Sequence, residues 1–290
     1  KGEPFLIVDF HTHLFPDPIA PRALSRLVEN TRPYAHRYGE TKAHTDATAA
    51  GLTASQREAK INLSLVLPIA TSAKPTPTLN DFAARVDRMP GLRSFGSVHP
   101  HSPAFRDELR RIKALGLKGI KLHPEYQGCF ADDPETVEVV REAVGLNLTV
   151  VFHAGEDIGM APPVHCTPER VQRLRQAVPD GRIVLAHMGG YRLWEQVEEA
   201  LDDMKVMPDT TSCLPNHPEA WERFARIIRN AGTEFVLFGS DSPWTSQRAS
   251  LEAARTLFDR YGFTAEEQAA MLGGNACRLL GGRPAVEETI

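Results

Sequence analysis

Cysteine is scarce in this chain: Cys129, Cys166, Cys213 and Cys277 are the only four in 290 residues, and no two form a Cys-x-x-Cys pair. That argues against a zinc ribbon and a disulfide scaffold alike, leaves a reducing cytoplasm as the expected setting, and makes packing the expected role of each thiol. Long apolar runs are missing too. None approaches the roughly 18 residues a membrane helix needs, and no charged-then-apolar leader opens the sequence, so a soluble chain with no membrane partner is expected. Nor is there a basic patch: 33 Lys and Arg against 37 Asp and Glu give a net charge of −4, with the cations spread along the chain. Nucleic acid is not an expected partner.

What the chain has instead is rhythm. Short β-branched and apolar runs at 5–13, 62–69, 92–99, 117–123, 148–153, 182–187, 206–210 and 234–241 alternate with helical periodicity at 79–89, 103–115, 134–144, 167–177, 193–203, 218–231 and 248–261. A last helical segment opens at Thr264 with a capping box, in which Thr264 and Glu267 each satisfy an orphan backbone donor. Eight strand–helix units in a chain of this length fit a (β/α)8 TIM barrel, one domain over residues 1–290 closed by right-handed crossovers. An open doubly wound sheet usually shows a glycine-rich phosphate turn after an early strand, and "DFHTHLF", residues 9–15, has no glycine. One interval breaks the rhythm. Residues 14–60 exceed what a single helix requires between two strands, and such insertions are usually lids or binding loops. Tyr34, His36, Arg37, Tyr38 and His44 lie in its middle, placed to reach over a barrel mouth.

The first run raises the chemical question. Side chains alternate faces along a strand, so Asp9, His11 and His13 are expected on one side, spaced by about 6.6 Å of rise. A His-x-His pair alone is weak evidence for a metal, since strand histidines are more often satisfied or exposed. Other runs end similarly, however, in His99, His123, His153, His187 and Asp241. Six of the eleven histidines therefore sit at strand ends, and barrel topology brings those ends to one rim. Imidazole plus carboxylate with an open position is the ligand set of a catalytic divalent metal, zinc first and manganese second.

The segments "DFHTH", "GIKLHP", "FHAG", "AHMGG", "FGSDSPW" and "GGNACRLLG" occur in this order through nearly the whole chain. Together they resemble the amidohydrolase superfamily, in the branch that holds metal-dependent decarboxylases, hydratases and lactonases beside hydrolases. The resemblance implies that His11, His13, His153 and Asp241 bind the metal, with His187 nearby as acid, base or polarising group. Asp241 is also expected to deprotonate the water. Lys121 has two readings. In some members a carboxylated lysine bridges two metals, with His153 and His187 on the second ion; in the decarboxylase and lactonase branch a free cation faces an anionic substrate group. His99 and His123, each before a proline, and Arg192 and Trp244 in rim loops are further candidate substrate contacts, and Glu125 falls in the same loops. Asp9 is expected as a buried hydrogen-bonding group and Asn275 as a contact that packs the last helix.

The expected function is a metal-dependent hydrolase with one divalent ion, activating water to cleave an amide, ester or lactone in a small carboxylate-bearing substrate. The alternative is a non-oxidative decarboxylase acting on a small aromatic or unsaturated hydroxy or keto acid, and a metal-storing barrel ranks third. The expected partner is that small molecule, with a homodimer as the open protein-level option. Fold alone does not choose among these chemistries.

Overall fold

Strands covered by helices outside and by a packed interior inside are buried on both faces, and their sequences read as short continuous apolar runs. In the computed structural model, which describes residues 6–74 and 77–282, they are β1 (Val8–Thr12), β2 (Leu63–Val66), β3 (Leu92–Ser94), β4 (Gly119–Leu122), β5 (Thr149–Phe152), β6 (Ile183–Leu185) and β7 (Met207–Pro208). Every pairing is parallel, with β1–β2–β3 in one sheet and β4–β5–β6–β7 in another. Phe5, the first residue of the first expected run, lies outside the described residues.

Two seams join these sheets into the barrel. At the first, Gly96 pairs with Ile120, and the Lys121 N–H donates to the Gly96 carbonyl at 2.9 Å. The second is filled by residues 234–241, the eighth expected run. They form no regular strand; Leu237 bridges to Asp209, just past β7, and the next residue after the run, Ser242, bridges to Thr12 of β1. There the Phe10 N–H donates to the Phe238 carbonyl at 2.8 Å, and the Asp241 N–H to the His11 carbonyl at 2.9 Å. Glycine is required at this seam: a Cβ on Gly239 would lie 2.7 Å from Thr211 Oγ1 and 2.8 Å from His11 Cβ.

Inside the ring, Val8, Phe10, Leu63, Leu65, Phe95, Val151, Val184 and Leu237 form one buried cluster. Their alternate neighbours, among them Ile120, Leu122, Val150, Phe152, Leu185 and Phe238, pack outward on helix residues such as Leu109, Val139, Leu174 and Leu257. Thr167, Ser246 and Thr264 cap their helices as acceptors, and the Thr264–Glu267 capping box is formed. The helix Asn275–Leu279 contributes Ala276 and Leu279 to the inner cluster. Asn275 Nδ2 fixes it there, donating to the carbonyls of Thr233 (2.8 Å) and Val236 (2.6 Å).

Between β1 and β2 the expected 14–60 insertion divides into two parts. Its last stretch, Ala49–Ala59, is capped by Thr48 and buries Leu52, Gln56 and Ala59, a helical stripe. This is the crossover helix of the first unit. The surplus chain is therefore shorter than expected and contains the helices Ala20–Thr31 and Ala35–Tyr38, joined by a 3-10 turn at Arg32–Tyr34. No helix among the described residues is long and apolar enough to cross a membrane.

Candidate metal centre

β1 places its histidines through a defect. Its register against β2 slips between Asp9 and Thr12, the mark of a β-bulge, which breaks strict alternation of side chains. Strict alternation puts Asp9 beside His11; the structure does not. Val8 points into the barrel cluster, while Asp9 accepts from Gln247 Nε2 at 2.8 Å, from the Ser240 N–H at 2.9 Å and from the His11 backbone N–H at 3.2 Å, apart from the histidine rings. Past the bulge both Phe10 and His11 face inward. Asp9 is thus the buried hydrogen-bonding group expected of it, but on the opposite face; burial pushes its carboxyl up to about 6 against those hydrogen bonds.

Partners of the ring nitrogens decide where the lone pairs point. His11 Nδ1 lies 2.8 Å from Asp209 Oδ2, and His13 Nδ1 lies 2.9 Å from the Leu67 carbonyl oxygen. A carbonyl only accepts, as does an ionised carboxylate, so each Nδ1 carries the proton and each Nε2 a lone pair. Those Nε2 atoms stand 3.9 Å (His11) and 3.2 Å (His13) from Asp241 Oδ1. Three electron-pair donors thus converge; Lys121 Nζ, 3.2 Å from His11 Nε2, meets one of them, and a cation satisfies all three together. The three atoms lie within 4.8 Å of one another, so the donor set fits a divalent metal with an open position.

Electrostatics agree. Burial holds the His11 imidazole well below its ordinary range, hence neutral, the form that ligates. Burial alone would raise Asp241, but the imidazoles of His13, His187 and His11 around it hold its carboxyl well below the carboxylate range. Its Oδ2 accepts from Ser212 Oγ at 2.8 Å. Lys121 Nζ, wholly buried, is 3.2 Å from His11 Nε2; burial brings it down to about 8, opposed by Asp209 and Asp241.

A second group adjoins the first. His187 Nδ1 lies 3.1 Å from the Thr211 carbonyl oxygen, and its Nε2 3.0 Å from His153 Nδ1. The same reasoning gives His187 a lone pair on Nε2 and His153 a proton on Nδ1. His153 Nε2 is then a bare lone pair, buried with no hydrogen-bond partner among the described residues. It faces Asp157 Oδ2 at 3.7 Å, and His123 Nε2 faces the same oxygen at 3.5 Å. Ligand atoms of His153, His123 and Asp157 lie within 4.8 Å of one another. Backbone strain marks the site as well: His187 (φ 61°) and Asp241 (φ 69°) are both left-handed, at a cost on the order of 1–3 kcal/mol for such residues.

Residues 8–282 match the family model described as amidohydrolase. The chain belongs to the amidohydrolase family. No curated protein matches its sequence significantly. Among solved structures, an uncharacterised TIM-barrel protein from Bordetella bronchiseptica superposes with a TM-score of 0.71 at 18% identity, covering 94% of this chain and 98% of that one. A 5-carboxyvanillate decarboxylase from Novosphingobium aromaticivorans, complexed with manganese and 4-hydroxy-3-methoxy-5-nitrobenzoic acid, gives 0.67 at 16% identity, covering 95% and 96%. A probable 2-pyrone-4,6-dicarboxylic acid hydrolase from Acinetobacter baumannii gives 0.61 at 18% identity, covering 95% and 99%. These likenesses support the barrel fold.

In this amidohydrolase the remaining expected contacts scatter around the rim. His123 is buried and stacked between Tyr126 and His153, at ring separations of 3.9 and 4.1 Å. His99 is also buried and accepts from the His101 N–H at 3.2 Å. Trp244 is half-buried beside Asp241, to whose carbonyl its N–H donates at 2.8 Å. Arg192 is exposed; it donates to the Arg37 carbonyl at 3.3 Å and lies 5.3 Å from the Tyr38 ring centre. Arg37 and Tyr38, from the insertion, hold Glu156. Sequence reasoning missed Asp209, Ser212 and Asp157. Asp209 carries the same signal as the histidines, a polar residue at the end of an apolar run, and Asp157 follows His153 by one helical turn's spacing in "HAGED".

Proposed function

We propose that this amidohydrolase is a hydrolase with one catalytic divalent ion on His11, His13 and Asp241, the fourth position being left to water or substrate. His153, expected as a further ligand, has its Nε2 3.7 Å from Asp157 Oδ2. The observation that carries the proposal is the meeting of two Nε2 lone pairs with an ionised carboxylate. Bound there, a divalent ion supplies Lewis acidity and brings the pKa of water toward about 7. Two imidazoles and one carboxylate suit zinc, and manganese fits the same donors.

The side chains then divide the work. Asp241 Oδ1 accepts the proton of the attacking water while Ser212 holds its other oxygen. The new bond joins that water oxygen to the acyl carbon. That water proton, relayed from Asp241 to His187, goes on to the leaving nitrogen or oxygen as the C–N or C–O bond breaks. Lys121, Arg37 and Arg192 offer cationic groups near the mouth, so a small carboxylate-bearing substrate fits best. A decarboxylase is the second reading, favoured by the likeness to the Novosphingobium enzyme.

The test is the zinc- or manganese-loaded enzyme assayed against carboxylate-bearing lactones, esters and amides and against hydroxyaryl carboxylic acids in 18O-water. Uptake of one 18O without release of carbon dioxide is expected. A His187→Gln variant should keep its metal and lose about 10²–10⁴ in kcat. Carbon dioxide release without 18O uptake overturns the hydrolase in favour of the decarboxylase.

A further inference from the structure

The insertion after β1 reaches the barrel mouth and is fastened there. Its short helix Ala35–Tyr38 brings Arg37 and Tyr38 against Glu156, just past His153 in the loop after β5. The Arg37 guanidinium pairs with Glu156 Oε1, and the Tyr38 hydroxyl donates to Glu156 Oε2 at 3.0 Å. Both carboxylate oxygens are therefore used. Arg192, from the loop after β6, joins them: it donates to the Arg37 carbonyl at 3.3 Å, and its guanidinium stands 5.3 Å from the Tyr38 ring centre.

The two sides of this contact differ in freedom. Glu156 belongs to the rim, because its N–H donates to the Tyr191 carbonyl at 3.0 Å and Gly155 before it pairs with Tyr191. The insertion has a pivot. Gly39 ends the helix at φ 83° and ψ 174°, a conformation essentially confined to glycine, and a Cβ there would meet nothing within 4 Å. Backbone conformation, not crowding, calls for glycine beside Tyr38. Beneath the contact, Arg37, Tyr38, Glu125, Glu156 and Asp157 line a cavity of about 20 Å³. That is room for one water, whereas small-molecule sites take about 300–1,000 Å³. Asp157 Oδ2 is 3.5 Å from His123 Nε2, so the fastened insertion closes this approach to the rim histidines.

We propose that Glu156 is an internal substitute for the substrate's carboxylate, and that Arg37 and Tyr38, with Arg192 beside them, take the substrate carboxylate when Glu156 releases them. This site rests on the reading that the substrate carries a carboxylate; it does not depend on which bond breaks. A guanidinium fork and a hydroxyl donor suit either carboxylate. Burial and the adjacent Glu156 push Tyr38 up to about 12, so the hydroxyl keeps its proton and donates. The contacts of Arg192 with the insertion are a carbonyl and a ring, neither of them a carboxylate, which leaves its charge for an incoming anion. Exposed ion pairs such as Arg37–Glu156 are weak, so an acid can exchange with Glu156, while its neutral amide has nothing to exchange.

Hydrogen exchange of the backbone amides in residues 32–44, followed by mass spectrometry on the zinc-loaded enzyme, tests this without turnover. Glu156→Gln should speed exchange there roughly three- to tenfold, and Tyr38→Phe, which removes one donor from the insertion side, should act in the same direction. Benzoate should restore protection in Glu156→Gln; its neutral analogue benzamide should not. Unchanged exchange in either folded variant overturns the proposal, as does equal restoration by benzoate and benzamide or by neither. Because no bond is cleaved in this experiment, a failed hydrolase reading in 18O-water leaves its outcome standing.

Discussion

Replacing Asp209 by Asn should weaken the first metal centre without unfolding the barrel. Asp209 uses both oxygens: Oδ2 faces His11 Nδ1 at 2.8 Å, while Oδ1 accepts from the N–H groups of His187 (3.1 Å) and Thr211 (3.0 Å). An Asn has one acceptor to offer. Turning its NH2 toward the two backbone donors would orphan both, at about 1–3 kcal/mol for each buried group. The amide oxygen therefore stays with the backbone, and the NH2 donates to His11 Nδ1. That forces the His11 proton onto Nε2 and removes the lone pair aimed at the metal. Loss of such an orienting partner typically lowers metal affinity 10–100-fold, about 1.4–2.7 kcal/mol. Calorimetric titration of the stripped variant with Zn²⁺ measures this, and 15N NMR of the imidazoles reports the tautomer. Affinity within twofold of wild type, with His11 still protonated on Nδ1, would refute the reasoning.

Lys121→Met should stabilise the stripped protein at pH 7. Burial lowers the lysine from 10.5 to about 8, so the folded state binds fewer protons between those values; the penalty is full below about 8 and fades as pH rises to 10.5. At 1.36 kcal/mol per unit it amounts to at most about 3 kcal/mol, and urea melts at pH 7 and pH 10 should show the advantage shrinking; a destabilised variant at pH 7 contradicts this. Arg37→Ala breaks an exposed ion pair with Glu156, so it should cost at most about 1 kcal/mol in stability while raising KM for carboxylate-bearing substrates at unchanged metal content. An unchanged KM would remove Arg37 from substrate recognition. Phe10→Ala should cost about 3–5 kcal/mol, because Phe10 is wholly buried and meets Phe95 edge-on at 5.8 Å; a loss below about 1 kcal/mol in urea unfolding would mean that the barrel interior is not packed as described.

The barrel was legible because alternation of apolar runs and helical periodicity is a local signal, repeated along the chain. The rim was legible for the same reason: His11, His13, His187 and Asp241 end such runs, and closure of the ring brings them together. Pairing between strands was not legible. The bulge that turns Asp9 away from His11 depends on register against β2, a property of two segments at once. The eighth run looked like a strand and serves only as a bridge, since its residues must pass His11 at Gly239. His153 looked equivalent to the other rim histidines, yet its lone pair is set by a relay from Thr211 through His187. Asp209 and Asp157 acquire their roles only by proximity to histidines distant in sequence.

Anomalous diffraction from crystals grown with Mn²⁺ tests the first centre most directly. A peak is expected about 2.0–2.3 Å from Nε2 of His11, Nε2 of His13 and Oδ1 of Asp241. An active, manganese-bearing enzyme with no peak at those three atoms would contradict the assignment.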